Sequence, residues 1–222
     1  YNKGIVIDGK DITFDTGSFT LNVYNSTDSS PGVGLEVKNG GNVYLVGSGQ
    51  LYIRQIGGSN SYGVKVTGGS TAMVTNVQVT VFENDTGVGA YADGTDSSIR
   101  VLGNVHVMGV SGCGAKTVGR GRITVDGTIT AMIYINIDST YKDISSGVGD
   151  SAKPDYLKYC NEPVRGIVWV KASPVTVPAA PQNFTATPGD SQVALSWAVP
   201  ASDGGGAIIK YQVSKDNGAN WA

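Results

Sequence analysis

Cysteine and histidine are almost missing from this chain, which has two cysteines, Cys113 and Cys160, and one histidine, His106, in 222 residues. Two cysteines supply neither a metal cluster nor a disulfide framework. Cys113 opens a repeat and Cys160 lies in the segment after the repeats, so a single bridge and two separate small residues are equally open readings. One imidazole leaves few candidates for acid–base chemistry. Charge is scarce too, at 15% of residues and a formal net of −2, which gives no electrostatic footprint for nucleic acid or an anionic membrane. No apolar run approaches the length of a membrane span, and no signal peptide opens the chain. Helix-forming runs of Ala, Leu, Glu and Lys are lacking as well.

What the chain does have is glycine, 32 of them, with abundant Val, Thr, Ser and Asn. That composition favours strands joined by tight turns. At 40% apolar, with clear alternation, there is enough to bury, and disorder is rejected. The stretch "YGVKVTGGSTAMVTNVQVTV" (62–81) packs two alternating runs and the start of a third into twenty residues. The opening "YNKGIVIDGK" already reads as strand, so residue 1 is expected to be a cut point within a longer protein.

A glycine followed by alternating apolar residues recurs at Gly4, Gly34, Gly63, Gly89 and Gly114, at spacings of 30, 29, 26 and 25. Thirteen residues after the opening glycine come Gly17, Gly47, Asn76 and Gly127, and fourteen after it Gly103. These predict a recurring turn with positive φ. Each repeat is then three short strands, and three strands at constant period describe one coil of a parallel β-solenoid. Inward positions should form columns: Ile5, Leu35, Val64, Ala90 and Ala115 in the first strand, and Val43, Ala72, Ile99 and Ile123 in the second.

The expected fold class is all-β, a single-stranded parallel β-helix of about five coils plus a truncated β-sandwich. Residues 1–137 form the coils, 138–171 a C-terminal cap ending in "GIVWVK", 172–182 a Pro/Ala/Val linker and 183–222 an incomplete sandwich. The repeat region resembles the right-handed parallel β-helix of the pectate-lyase-like kind, shared by polysaccharide lyases, glycoside hydrolases, phage tailspikes and bacterial surface proteins. Handedness is implied by that resemblance alone. The pieces "APQNFTATPGD", "SQVALSW", "PASDGGGAI" and "IKYQVSKDNGANW", in that order, resemble the first half of a bacterial fibronectin type III domain with Trp197 as its core tryptophan. The later strands of such a sandwich are not in the sequence. Val193, Leu195, Trp197, Ile209 and Tyr211 are therefore expected to be uncovered, with self-association one way to cover them. The resemblance implies secretion and a spacer role.

An enzyme of this architecture needs placed carboxylates, and the acids scatter over strand ends and turns. The nearest to a cluster, Glu83, Asp85, Asp93 and Asp96, is a weak Ca²⁺ candidate whose simpler reading is solvated loop residues. Arg100 reads as alone on its strand, and His106 between Val105 and Val107 faces outward with no acid beside it. The outward Tyr44, Tyr52, Tyr62 and Tyr91, among Asn, Gln, Ser and Thr, are candidates for sugar stacking, against the plain reading of residues that strands prefer. The expected function is a non-enzymatic, extracellular surface domain of a bacterial protein, an adhesin or stalk. Its candidate partner is a polysaccharide or a host or cell-wall glycan; no cofactor, nucleic acid or membrane span is expected. The alternative is a polysaccharide lyase or glycoside hydrolase fragment. Acceptor patterns for N-glycosylation at Asn25, Asn84 and Asn183 would matter in a eukaryotic secretory host.

Overall fold

In the computed structural model, residues 3–27, 32–82, 85–161, 166–172, 178–202 and 211–214 are described. The chain divides into two compact units, residues 1–172 and 173–222. The first coil runs β1 (Lys3–Asp8), β2 (Asp11–Asp15) and β3 (Thr20–Thr27). The second is β4 (Val33–Lys38), β5 (Asn42–Val46) and β6 (Gln50–Gly57), and the third β7 (Ser61–Thr67), β8 (Thr71–Val74) and β9 (Asn76–Val81). The fourth is β10 (Thr86–Asp93), β11 (Ser98–Val101) and β12 (Val105–Met108). The fifth is β13 (Ser111–Val118), β14 (Arg122–Val125) and β15 (Ile129–Thr130). First strands stack on first strands as sheet A, second on second as sheet B and third on third as sheet C, all in parallel. These five strand triplets make a parallel β-solenoid of about four turns. Among the described residues, no helix is long and apolar enough to cross a membrane.

The predicted columns are in register. Ile5 pairs with Leu35, Leu35 with Val64, Val64 with Ala90 and Ala90 with Ala115. Val43, Ala72, Ile99 and Ile123 pair likewise in sheet B. All but Ile5, at the open end of its column, are buried in one continuous core. A lone coil could not shield these side chains; the neighbours at about 4.8 Å spacing do so.

The opening glycines serve close approach. A Cβ on Gly63 would lie 2.3 Å from Val77 Cγ1, and one on Gly89 2.2 Å from Val105 Cγ1. The first strand thus presses against a branched residue near the start of the third strand of its own coil. The second set of glycines departs from expectation. Gly17 and Gly47 do adopt positive φ, at 53° and 90°, but Asn76, Gly103 and Gly127 do not. In the later coils an asparagine ladder holds that turn instead: Asn76 Oδ1 accepts from Asn104 N at 2.9 Å, and Asn104 Oδ1 from Thr128 N at 2.8 Å. A Cβ on Gly103 or Gly127 would collide with the asparagine of the coil below, 2.4 Å away in each case. Stacking, not turn strain, selects glycine there.

After the fifth coil β16 (Ile133–Ile137) still continues sheet A in parallel, and β17 (Thr140–Lys142) folds back on it antiparallel. A short 3-10 turn, Ile144–Ser146, leads to β18 (Val148–Asp150), β19 (Lys153–Cys160) and β20 (Ile167–Lys171). β20 pairs in parallel with β14, and β19 and β18 add to it antiparallel. The change to antiparallel pairing ends the repeat while keeping the sheet B columns filled by Val168 and Val170. Cys113 and Cys160 are not bridged.

The second unit contains a two-stranded antiparallel sheet, β21 (Gln182–Gly189) with β22 (Gln192–Ala198). Phe184 stacks on Trp197 with centroids 6.4 Å apart, and Tyr211 lies 5.4 Å from the same indole. Phe184 and Val193 are about 60% exposed, so these strands present apolar surface. Ile209 and most of "IKYQVSKDNGANW" lie outside the described residues.

Candidate functional site

The outer face of sheet B carries a row of side chains set by strand register. Thr13 pairs with Tyr44, Met73 with Arg100, Arg100 with Thr124 and Thr124 with Trp169. Val43 pairs with Ala72, which puts Tyr44 beside Met73. Because each strand alternates inward and outward, burying Val43, Ala72, Ile99, Ile123 and Val168 forces this second row to solvent. The row floors a groove of about 380 Å³ that Arg122 and Lys153 complete. A second hollow of about 250 Å³, lined by Arg100, Thr124, Lys153 and Pro154 to Tyr156, shares three residues with it.

The polar groups here are closely interlocked. Arg100 donates Nε and Nη2 to Asp126 Oδ2 at 3.0 and 2.8 Å, and Tyr156 Oη donates to Asp126 Oδ1 at 2.6 Å. Lys153 Nζ donates to Thr124 Oγ1 at 2.9 Å. The same ammonium lies 4.4 Å from the centre of the Trp169 ring and 5.3 Å from that of Tyr156. Trp169 Nε1 donates to Asp150 Oδ2 at 2.8 Å. Partial burial, and then the positive charge of Arg100, hold the Lys153 pKa below the ordinary lysine value, against the pull of Asp126 and Asp150. The bond to Asp126 raises the Tyr156 pKa. Such a groove brings rings, an aliphatic stem and hydrogen-bond donors together on one face of sheet B.

The four candidate tyrosines fall on three different sheets. Tyr44, 46% exposed, belongs to the sheet B groove. Tyr52 is on sheet C, where its hydroxyl donates to Gln78 Oε1 at 2.8 Å and Arg54 lies 5.9 Å from its ring. Tyr62 and Tyr91 meet on sheet A as an edge-to-face pair with centroids 5.2 Å apart. Burial, then Asp93, pushes Tyr91 up to about 12. Tyr62 and Tyr91 are therefore brought together, while Tyr44 and Tyr52 stand apart from them and from each other.

Of the acids weighed as a Ca²⁺ site, Glu83 lies outside the described residues. Asp85 accepts from Ser59 Oγ, and Asp93 from Tyr91 Oη at 3.2 Å. Asp85 follows β9 and Asp93 ends β10, so they mark different corners of the coil, with Asp96 in the turn after Asp93. Among the described residues, no three His, Cys, Asp or Glu side chains gather as metal ligands. His106 faces outward as expected, between buried Val105 and Val107, in register with Gln78 and Thr130.

Arg100 is not alone, as the strand by itself suggested. Its partner Asp126 comes from the next coil, and its neighbours Lys153 and Trp169 come from beyond the repeats. One signal was available: "GIVWVK" has the alternation of a second strand, so Trp169 could have been placed in the outward row with Arg100 and Thr124. The chain matches no protein family, no curated protein and no solved structure with which it was compared.

Proposed function

We propose that the solenoid is a non-enzymatic extracellular surface module, an adhesin or stalk domain, whose sheet B face binds a saccharide chain. One observation carries this reading: the row Tyr44, Met73, Arg100, Thr124, Trp169 lines a groove in which the hydrogen-bonding Arg100 and Thr124 lie between Tyr44 and Met73 on one side and the Trp169 ring on the other. Sugars present apolar ring faces edged with hydroxyls, and a polar pair flanked by aromatic and apolar side chains meets both. The spacing between strands is fixed by backbone bonds, and the groove is therefore rigid before any ligand arrives, which lowers the entropy cost of binding. Asp126 and Asp150 are each engaged by neighbours, which suits a binding surface better than a pair of catalytic acids.

We read the second unit as the start of a fibronectin type III module, supported by the hairpin of β21 and β22 and the grouping of Phe184, Tyr211 and Trp197. Its exposed apolar residues make self-association a reasonable consequence.

A glycan-array screen of the full chain, repeated with Tyr44→Ala, tests the binding. Tyr44 is half exposed, so its truncation leaves the fold intact. Binding that weakens several-fold in the variant supports the reading; no binding to any sugar reduces the module to a spacer.

A further inference from the structure

Three cations, Arg100, Arg122 and Lys153, line the groove together with Thr124. Arg100 is its in-register neighbour on β11. Arg122 stands two residues earlier on β14, hence on the same face, about 7 Å along the strand. Lys153 bonds to its hydroxyl. Among the described residues, only Asp126 is ion-paired with any of them, and both its oxygens already accept, from Arg100 and from Tyr156. Asp150 accepts from the Trp169 indole and from Ala152 N. Among the described residues, neither Arg122 nor Lys153 has a carboxylate within salt-bridge reach.

Folding gains the Lys153 bond to Thr124 and its contact with Trp169, but these leave the charges of Lys153 and Arg122 without a counter-ion among the described residues. Like charges repel, and the partial burial of Lys153 beside Arg100 disfavours its charged form. On sheet A, by comparison, Lys3 and Lys65 share the carboxylate of Glu36. Uncompensated charges of one sign in a concave, partly desolvated place mark a site suited to an oppositely charged ligand.

We infer that the groove takes an acidic saccharide, with an oxyanion of the sugar chain seated over Thr124 among Arg100, Arg122 and Lys153. This rests on the saccharide-binding reading above and narrows its ligand class. The arginines offer paired N–H donors that match the oxygens of a carboxylate or sulfate group. Tyr44, farther along the same row, takes a ring face of a neighbouring sugar unit. No bond is made or broken.

The test is calorimetric titration of the full chain with a uronic-acid oligosaccharide and with the same chain after reduction of its carboxyl groups to alcohols. A sulfated neutral oligosaccharide and its unsulfated parent form a second matched pair. At low salt the acidic member of at least one pair is expected to bind roughly ten-fold tighter, and the advantage to shrink at higher ionic strength. Arg122→Gln removes an exposed, unpaired charge and Lys153→Met keeps the aliphatic stem, so both variants should fold and both should abolish the advantage. Which pair shows it identifies the oxyanion. Equal binding of acidic and neutral chains, unchanged in the variants, overturns the inference and leaves the saccharide reading standing. Binding of none of the four overturns both.

Discussion

The ammonium of Lys153 lies 4.4 Å from the centre of the Trp169 ring while donating to Thr124 on the adjacent strand. One side chain from β19 thus ties together the last two strands of the solenoid's sheet B. Arg100 in turn sits in register with Thr124, close enough to depress the Lys153 pKa. Replacing Arg100 by Gln removes that repulsion and releases Asp126, and both changes favour the charged lysine. The Lys153 pKa should therefore rise in Arg100→Gln. Following the Trp169 indole resonance through an alkaline titration measures this, and an unchanged midpoint would refute the coupling.

The packing of opening glycines gives a sharp stability contrast. In Gly89→Ala the new methyl meets Val105 Cγ1 at 2.2 Å and the Gly114 carbonyl oxygen at 2.6 Å. Backbone cannot yield as a flexible side chain can, so the cost is expected at about 1–3 kcal/mol or more. Gly149→Ala has nothing within 4 Å and no positive φ, and should change stability by no more than about 0.5 kcal/mol. Urea midpoints of the two variants make the comparison.

Alkaline pH should unfold the solenoid. Burial raises the pKa of Tyr62, Tyr91, Tyr134 and Tyr159 in the folded state, Tyr91 to about 12, whereas an unfolded tyrosine titrates near 10. The unfolded chain then releases protons first, so the stability these groups contribute is intact below pH 10 and is lost as pH rises toward 12 and beyond. Lys153 acts in the opposite sense, its pKa being lowered, but it is one group against these four tyrosines, Tyr156 and Cys113. Thermal midpoints between pH 9 and 12 should fall, and phenolate absorbance should show a late-titrating class of tyrosines. A midpoint flat to pH 12 would contradict this.

Cys113 should be inert. It is buried beneath the outer surface of sheet A, and burial pushes its thiol up to about 12 from 9.0. Its thiolate fraction near pH 8 is then lower by about three orders of magnitude than that of an unfolded cysteine, and thiolate is the nucleophile. In a Cys160→Ser background, reaction with an aromatic disulfide reagent should be about a thousand-fold slower for the native protein than in denaturant. Comparable rates would mean that the first strand opens readily.

How far the fold could be read depended on whether a feature repeats. Val43, Ala72, Ile99 and Ile123 recur at the coil period, so their column was legible before any coordinates, and the same holds for the outward turn of His106. The groove was not legible in that way. Its constituents come from Tyr44, Arg100, Arg122, Lys153 and Trp169, spread over more than 120 residues, and only the stacking of strands brings them to one face. The coil a tyrosine belongs to does not by itself put it beside another, because its place within the coil decides which of the three sheets carries it.

The sequence by itself determined the solenoid. A glycine opens each coil because the first strand touches the third, and apolar alternation recurs because each coil needs the next to shield its core. These are local, periodic requirements, and a chain cannot meet them without showing the period. Only the tertiary structure decided where the chemistry lies. It carried β20 back beside β14, placed Lys153 between Thr124 and Trp169, and gave Arg100 its carboxylate partner. Those contacts occur once each and bridge elements far apart in sequence, so no repeat announces them.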